Sequence, residues 1–185
     1  MLDEVFKELS SGIAKAVEAL HRDMAKVRTG RANASMLDGI RVDYYGVPTP
    51  INQMANIAVP EPRLITIKPW EKGQAKAIDK ALRESDLNVN PQVDGELVRI
   101  PIPALTEERR REMVKLARKY GEECKVAVRK HRRDANEMID ALDKDGEVSG
   151  DDADRGKKKV EDLVAAGIKQ IDDIVAHKEK DIMVV

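Results

Sequence analysis

The strongest chemical signal in the chain is a run of basic residues between positions 109 and 133. This segment contains eleven Lys or Arg residues and only three acidic residues. The whole chain balances 33 basic against 34 acidic residues, so the excess is local. A local excess of positive charge is typical of a surface that binds a polyanion, because the field at a surface follows the nearest charges.

Helical spacing would place several of these basic residues on one face. Residues three, four or seven positions apart return to the same side of an α-helix. Six basic residues follow this spacing: Arg111, Lys115, Arg118, Lys125, Arg129 and Arg132. The solvated face of any long helix also has this pattern. The crowding of arginine at 129–133 nevertheless favours phosphate, because guanidinium groups bind phosphate oxygens in a bidentate way.

Side chains that could carry out covalent chemistry are isolated along the chain. The sequence has no P-loop, no dinucleotide-binding glycine motif, no zinc-protease helix motif and no nucleophile elbow. His21, His131 and His177 stand alone on helical patterns. Cys124 falls on an apolar stripe, where a small buried residue is expected. The sequence therefore predicts a binding protein that is not an enzyme and has no metal site.

The apolar residues predict three long helices. They recur every three or four positions from Leu2 to Val27, from Thr106 to Leu142 and from Ser149 to Ile182. Ser149, with Asp152 three positions later, predicts the cap of the third helix. The predicted core stripe of the second helix is Met113, Leu116, Ala117, Tyr120, Cys124, Ala127, His131, Ala135, Met138 and Leu142. Helices of this length need mutual burial, which favours an antiparallel three-helix bundle.

The eight prolines mark a second region, because all of them lie between positions 48 and 103. Within it, residues 40–46, 64–70 and 96–102 are rich in β-branched or aromatic residues and predict strands. Residues 72–85 predict one short helix. The fold class is therefore α+β, with a small α/β domain inserted into the helical bundle.

The domain boundaries follow from these patterns. Residues 1–30 and 106–185 form the predicted bundle, and residues 31–105 form the predicted small domain. The chain crosses between them at 28–33 and 100–105. Two adjacent crossings, one with a glycine and one with two prolines, fit a hinge and a fixed elbow equally well.

Composition excludes several classes of protein. At 42% hydrophobic the chain can bury a core, and at 3% aromatic that core suits packed helices better than a β-sandwich. A single cysteine excludes an internal disulfide framework and favours the reducing cytoplasm. No window approaches the roughly 20 apolar residues that a membrane span needs.

Four segments of the chain are similar to signature segments of a known family. They are KVRTGR at 26–31, LDGIRVDYYGVPTP at 37–50, LTEERR at 105–110 and VRKHRRDAN at 128–136. In this order, and over the whole length, they resemble the bacterial ribosome recycling factor family. The resemblance implies an L-shaped molecule, made of the bundle and the smaller domain. It also implies a protein that separates the subunits of the post-termination ribosome together with elongation factor G.

The resemblance assigns expected roles to individual residues. The expected contacts to large-subunit ribosomal RNA are Arg31, Arg110, Arg129, Arg132 and Arg133. The expected hinge consists of Arg28, Thr29, Gly30, Arg31, Pro103, Ala104 and Leu105. Elongation factor G would hydrolyse GTP, so this chain would need no cofactor and would act as a cytoplasmic monomer.

Two other classes of protein share parts of this pattern. A coiled-coil chaperone or scaffold would also be a long helical bundle, but it would bind unfolded protein and lack affinity for ribosomes. A ribosome-associated RNA-binding protein would share the basic helix, but its activity would not depend on elongation factor G.

Overall fold

The computed structural model describes residues 1–184, and the contacts within it divide the chain into two units. Met1–Thr29 and the chain from Glu107 onward form one unit, and Gly30–Thr106 form the other. Each boundary lies one residue from the predicted one. The α-helices are α1 (Leu2–Lys26), α2 (Ala75–Glu84), α3 (Glu107–Lys144) and α4 (Gly150–Met183).

Helices α1, α3 and α4 form the predicted antiparallel bundle. Cys124 and His131 of α3 lie against Ala16 and Gly12 of α1, respectively, so these two helices run in opposite directions. Helix α1 leaves Leu2, Phe6 and Ala16 of its predicted apolar pattern half-buried. It buries six others, Val5, Leu9, Ile13, Val17, Leu20 and Met24. Since these side chains recur every three or four residues, one continuous apolar face of α1 packs between the other two helices.

The predicted core stripe of α3 is partly wrong. Met138 is 38% exposed, and Tyr120 is only half-buried. Gly121, Val128 and Ile139, which were not predicted, are buried. The buried stripe of α3 is rotated by part of a turn from the predicted one, because α3 packs against both α1 and α4. The side that faces α4 includes Gly121, which a pattern of apolar residues does not include.

Two helical glycines let the bundle helices approach closely. A Cβ atom on Gly121 would lie 2.5 Å from Cγ2 of Val175, and one on Gly167 would lie 2.8 Å from Cγ2 of Ile13. Real Cβ contacts are not this short, so both positions have room only for hydrogen. The β-branched neighbours have few rotamers in a helix and cannot turn away easily.

We therefore expect Gly121→Ala to destabilise the protein. Overpacking a well-packed core costs about 1–3 kcal/mol, which exceeds the gain of about 1 kcal/mol when alanine replaces glycine in a helix. Urea denaturation measures the change. Gly150→Ala is the matched control, because the nearest atom to its Cβ is 4.0 Å away, and it should not lower stability. Equal stability of the two variants would contradict the close contact with Val175.

The predicted cap of α4 is confirmed. The backbone N–H of Asp152 donates to Oγ of Ser149 at 3.1 Å, and the Ser149 hydroxyl donates to Oδ2 of Asp152 at 2.7 Å. This hydrogen bond to the hydroxyl, followed by the charge of Arg155, lowers the pKa of Asp152. The cap starts α4 directly after the turn that leaves α3.

The small unit contains two antiparallel sheets. Its strands are β1 (Arg41–Tyr44), β2 (Val47–Pro50), β3 (Ala55–Glu61), β4 (Leu64–Pro69), β5 (Gln92–Asp94) and β6 (Leu97–Pro101). Strands β1 and β2 form a hairpin, and the other four form a sheet in the order β3-β4-β6-β5. Ile65, Ile67, Val98 and Ile100 of the central strands are fully buried, as are Ile78 and Leu82 of α2. These side chains make one compact core.

The strands that the sequence did not predict all lie at edges. β3 and β5 are the outer strands of the larger sheet, and β2 is half of a two-stranded one. Pro48 and Pro50 lie in β2, and Pro60 lies in β3. Proline lacks an N–H and is tolerated in a sheet mainly at an edge, so these three prolines mark edge strands rather than loops. Pro69 and Pro101 are the last residues of the central strands β4 and β6.

Candidate nucleic-acid interface

Both crossings of the chain are anchored to the same turn of the small unit. The N–H of Ala32 donates to the carbonyl of Pro62 at 2.7 Å, and the N–H of Ile102 donates to that of Arg63 at 2.8 Å. Gly30 has a φ of +72°, the left-handed conformation that favours glycine. A Cβ on Gly30 would lie 3.2 Å from the side chain of Leu105, so the crossings lie side by side. The hinge itself stays a prediction.

Two basic residues of the predicted face of α3 are held by acidic residues of α4. Nε of Arg118 donates to Oε1 of Glu179 at 2.5 Å, and its Nη2 donates to Oε2 at 3.1 Å. Nζ of Lys125 lies 2.6 Å from Oδ1 of Asp172. The hydrogen bond to Glu179 raises the pKa of Arg118, and the one to Asp172 is the main cause of the raised pKa of Lys125. These two cations join the helices and are not free for an outside ligand.

The first turns of α3 are neutralised within the helix. Nη2 of Arg111 lies 2.5 Å from Oε1 of Glu107, and Nη1 of Arg109 lies 2.5 Å from Oε2 of Glu112. Pairs of this kind, three or four residues apart, are favoured on a helix surface. The positive charge of this end of α3 is therefore largely balanced.

The predicted residues Arg129, Arg132 and Arg133 are brought together on one exposed turn of α3. Among the residues that the structure describes, none forms an ion pair with Arg129, Lys130 or Arg133. Arg132 is 44% exposed and lies 3.6 Å from Glu161. This cluster of four, Arg129, Lys130, Arg132 and Arg133, is called the basic turn below. Sequence reasoning recognised this crowding, but it did not single out Lys130 as a site residue.

The other two predicted RNA contacts lie elsewhere. Arg110 is half-buried in the first turn of α3. Nineteen residues of helix separate it from Arg129, or about 28 Å at 1.5 Å per residue. Arg31 is exposed and belongs to the small unit. Three of the five predicted contacts therefore belong to the basic turn, which carries three cations without an ion pair among the described residues.

The basic turn rests on a rigid support. The ring of His131, in the middle of the turn, packs against α1 at Gly12, where a Cβ would lie only 2.7 Å from Nδ1. The sequence predicts a core position for His131; its ring does pack against α1, but the residue is half-buried, as Tyr120 is. The ring leaves no space for a side chain at position 12, so this part of α3 packs closely against α1. The arginines of the basic turn therefore extend from a well-packed backbone.

The structure places Cys124 as the sequence predicted, on a buried stripe. Its Sγ donates to the carbonyl of Ala16 at 3.4 Å, and burial raises the pKa of the thiol. Within residues 1–184, no three His, Cys, Asp or Glu side chains come together as a metal would require. None of the described helices combines the length and the apolar character needed to cross a membrane.

Comparison with known proteins points to one family. The family model described as ribosome recycling factor matches residues 20–183. A ribosome-recycling factor of Sorangium cellulosum is 74% identical over 183 residues, covering 99% of each chain. One from Anaeromyxobacter dehalogenans is 52% identical and covers 99% of this chain and 97% of that one.

Two solved structures are similar over the full length. A solution structure of a ribosome recycling factor has a TM-score of 0.78 and 41% sequence identity, and the match covers 100% of this chain and 98% of that one. The second is described as models for the T. thermophilus ribosome recycling factor and the E. coli elongation factor G bound to the E. coli post-termination complex. Its TM-score is 0.68 at 38% identity, and each chain is covered completely.

Proposed function

The chain belongs to the ribosome recycling factor family, and from that premise we propose how it acts. It is a translation factor that binds the post-termination ribosome and, with elongation factor G and GTP, separates the subunits so that they can be used again. The relative seen with elongation factor G on a post-termination complex supports both partners. The protein acts in the cytoplasm, where the ribosomes are.

The basic turn carries this proposal. It presents three arginines and one lysine. Of these four, only Arg132 has an ion pair among the described residues. Arginine forks match phosphate oxygens, so large-subunit ribosomal RNA is the partner that this surface fits. Arg110 and Arg31 add contacts outside the turn.

The chemistry is divided between two proteins. This chain binds and moves, and elongation factor G hydrolyses GTP, so the chain itself needs no nucleotide, metal or cofactor. The two crossings beside Gly30 and Leu105 form the hinge about which the small unit moves during splitting. The bundle would then bind the ribosome, and the motion of the small unit would separate the ribosomal subunits.

Subunit separation tests the proposal directly. Post-termination ribosomes are mixed with the protein, elongation factor G and GTP, and light scattering follows the loss of the intact ribosome. A fall in scattering that requires all three additions is the expected result. Binding without splitting would favour an RNA-associated protein, and no affinity for ribosomes would favour a helical chaperone.

We expect binding to the large subunit to weaken steeply with salt. Each neutralised phosphate releases counterions, so about four to six contacts give a slope of about −3 to −5 in a plot of log affinity against log salt. Fluorescence or sedimentation titrations at several salt concentrations measure this slope. A slope near zero would instead indicate docking on ribosomal protein.

A further inference from the structure

The ion pairs between α3 and α4 follow one register. Passing from Arg118 to Lys125 moves seven residues along α3, and their partners, Glu179 and Asp172, lie seven residues apart in the opposite direction on α4. Nζ of Lys157 lies 2.5 Å from Oδ1 of Asp140, and this pair continues the same register near the other end of α3. The register is therefore constant on both sides of the basic turn.

The residue opposite Arg132 breaks this series. Seven residues further along α3 from Lys125 is Arg132, and seven residues back along α4 from Asp172 is Ala165. An acidic residue at 165 would complete the ladder, but alanine has no group that can pair. Ala165 is exposed, so nothing in the packing of the bundle requires a small residue there.

Arg132 has to reach one helical turn beyond Ala165 to find an acidic partner. Its Nη1 lies 3.6 Å from Oε2 of Glu161, whereas the register-matched pairs close to 2.5–2.6 Å. Both side chains of this longer pair are about half exposed, at 44% and 55%. A long, exposed ion pair contributes little stability and is given up easily when another anion approaches.

We propose that Ala165 is a positioning residue: the missing acidic group at 165 leaves Arg132 free for an RNA phosphate. The inference rests on the proposed function, because it assumes that the basic turn binds ribosomal RNA. The neighbouring ion pairs hold α3 and α4 together. Arg132, opposite Ala165, is left as an exposed cation near the surface. Glu161, at 3.6 Å, is a weak competitor that an approaching phosphate can replace.

The test fills the gap. Ala165→Glu places a carboxylate in register with Arg132, so the new ion pair competes with phosphate. Ala166→Glu is the matched control, since it adds the same charge to an exposed alanine about 100° further around α4. Binding of full-length variants to 50S subunits is measured at one salt concentration. We expect Ala165→Glu to bind about two- to fivefold more weakly than Ala166→Glu, the upper part of the range for one exposed ion pair.

A double-mutant cycle separates pairing with Arg132 from general repulsion. In a background that carries Arg132→Ala, the two glutamate variants should bind 50S subunits equally well, because the pairing partner is gone. Urea denaturation should reveal coupling between Ala165→Glu and Arg132→Ala, and none for Ala166→Glu. Glu161→Gln, which removes the competing carboxylate, should bind at least as tightly as the natural sequence.

Each outcome bears on a different assumption. If Arg132→Ala weakens binding but the two glutamate variants bind alike in the natural background, the inference about Ala165 is wrong and the proposed function stands. Lack of coupling in the unfolding experiment would also overturn it, because the register would then be wrong. If Arg132→Ala binds normally and still supports splitting, Arg132 is not an RNA contact, and the inference fails for that reason.

Discussion

Replacing Arg129 and Arg133 together by glutamine is expected to weaken binding to the large ribosomal subunit by about 2–5 kcal/mol. A single arginine to phosphate or base contact contributes about 1–3 kcal/mol. These two side chains are exposed and have no ion-pair partner among residues 1–184, so the variant loses the ligand contact and little else. Glutamine keeps the aliphatic stem and a good helix propensity. Titration of 50S subunits at fixed salt measures the change.

Arg109 and Arg111 provide the matched control. They lie on the same helix and carry the same charge, but each is paired with a glutamate within the helix. Replacing both by glutamine should change binding by less than about 1 kcal/mol, because exposed pairs of this kind contribute little and their partners already cancel the charge. If both double variants lost the same affinity, binding would depend on the net charge of α3 and not on the basic turn.

The bundle could be predicted from sequence because its signal is long and periodic. In α1, six buried side chains repeat every three or four residues, and no proline interrupts them. A cap such as Ser149 with Asp152 is equally local, since both partners lie within one turn. Features of this kind need no knowledge of neighbouring helices, and for that reason sequence reasoning recovers them.

The division of the basic residues into paired and unpaired groups is not local. The sequence places Arg118 and Arg129 on the same side of a helix, yet one is bound to Glu179 and the other is free of internal ion pairs among the described residues. Only the register between α3 and α4 decides which cation meets an acidic residue. A signal existed in the matching seven-residue spacing of Glu179 and Asp172, but it is readable only once the two helices are known to be antiparallel neighbours.

Helical glycines are a second feature that sequence patterns miss. Gly121 has no apolar side chain, so a pattern of apolar residues at helical spacing runs through Tyr120 instead. In the structure Gly121 is buried, and the side chain of Val175 packs directly against its Cα. Whether a helix needs a glycine at a given position depends on which side chain of the neighbouring helix packs there. The apolar pattern of one helix does not contain that information.

Loosening both crossings is expected to slow subunit splitting by more than about tenfold while ribosome binding changes less than about twofold. The change inserts two glycines between Thr29 and Gly30 and two between Leu105 and Thr106. The present crossings are short: α1 ends at Lys26, and Ala32 already bonds to the small unit. If elongation factor G acts on the small unit, its motion is passed to the bundle through these segments, where the chain joins the two units. Flexible insertions absorb that motion, since glycine-rich linkers behave as random coils.

The binding and splitting assays separate the two roles, because the basic turn lies in the bundle and is unchanged by the insertions. The same two glycines inserted after Gly73 provide the control, since a Cβ at that position has no atom within 4 Å and the loop before α2 is exposed. That variant should split ribosomes at the natural rate. Loosening one crossing alone should give an intermediate rate, because the other still restrains the small unit. A double insertion that splits ribosomes at the natural rate would mean that the small unit works without being restrained by the bundle, and the hinge would then have no part in recycling.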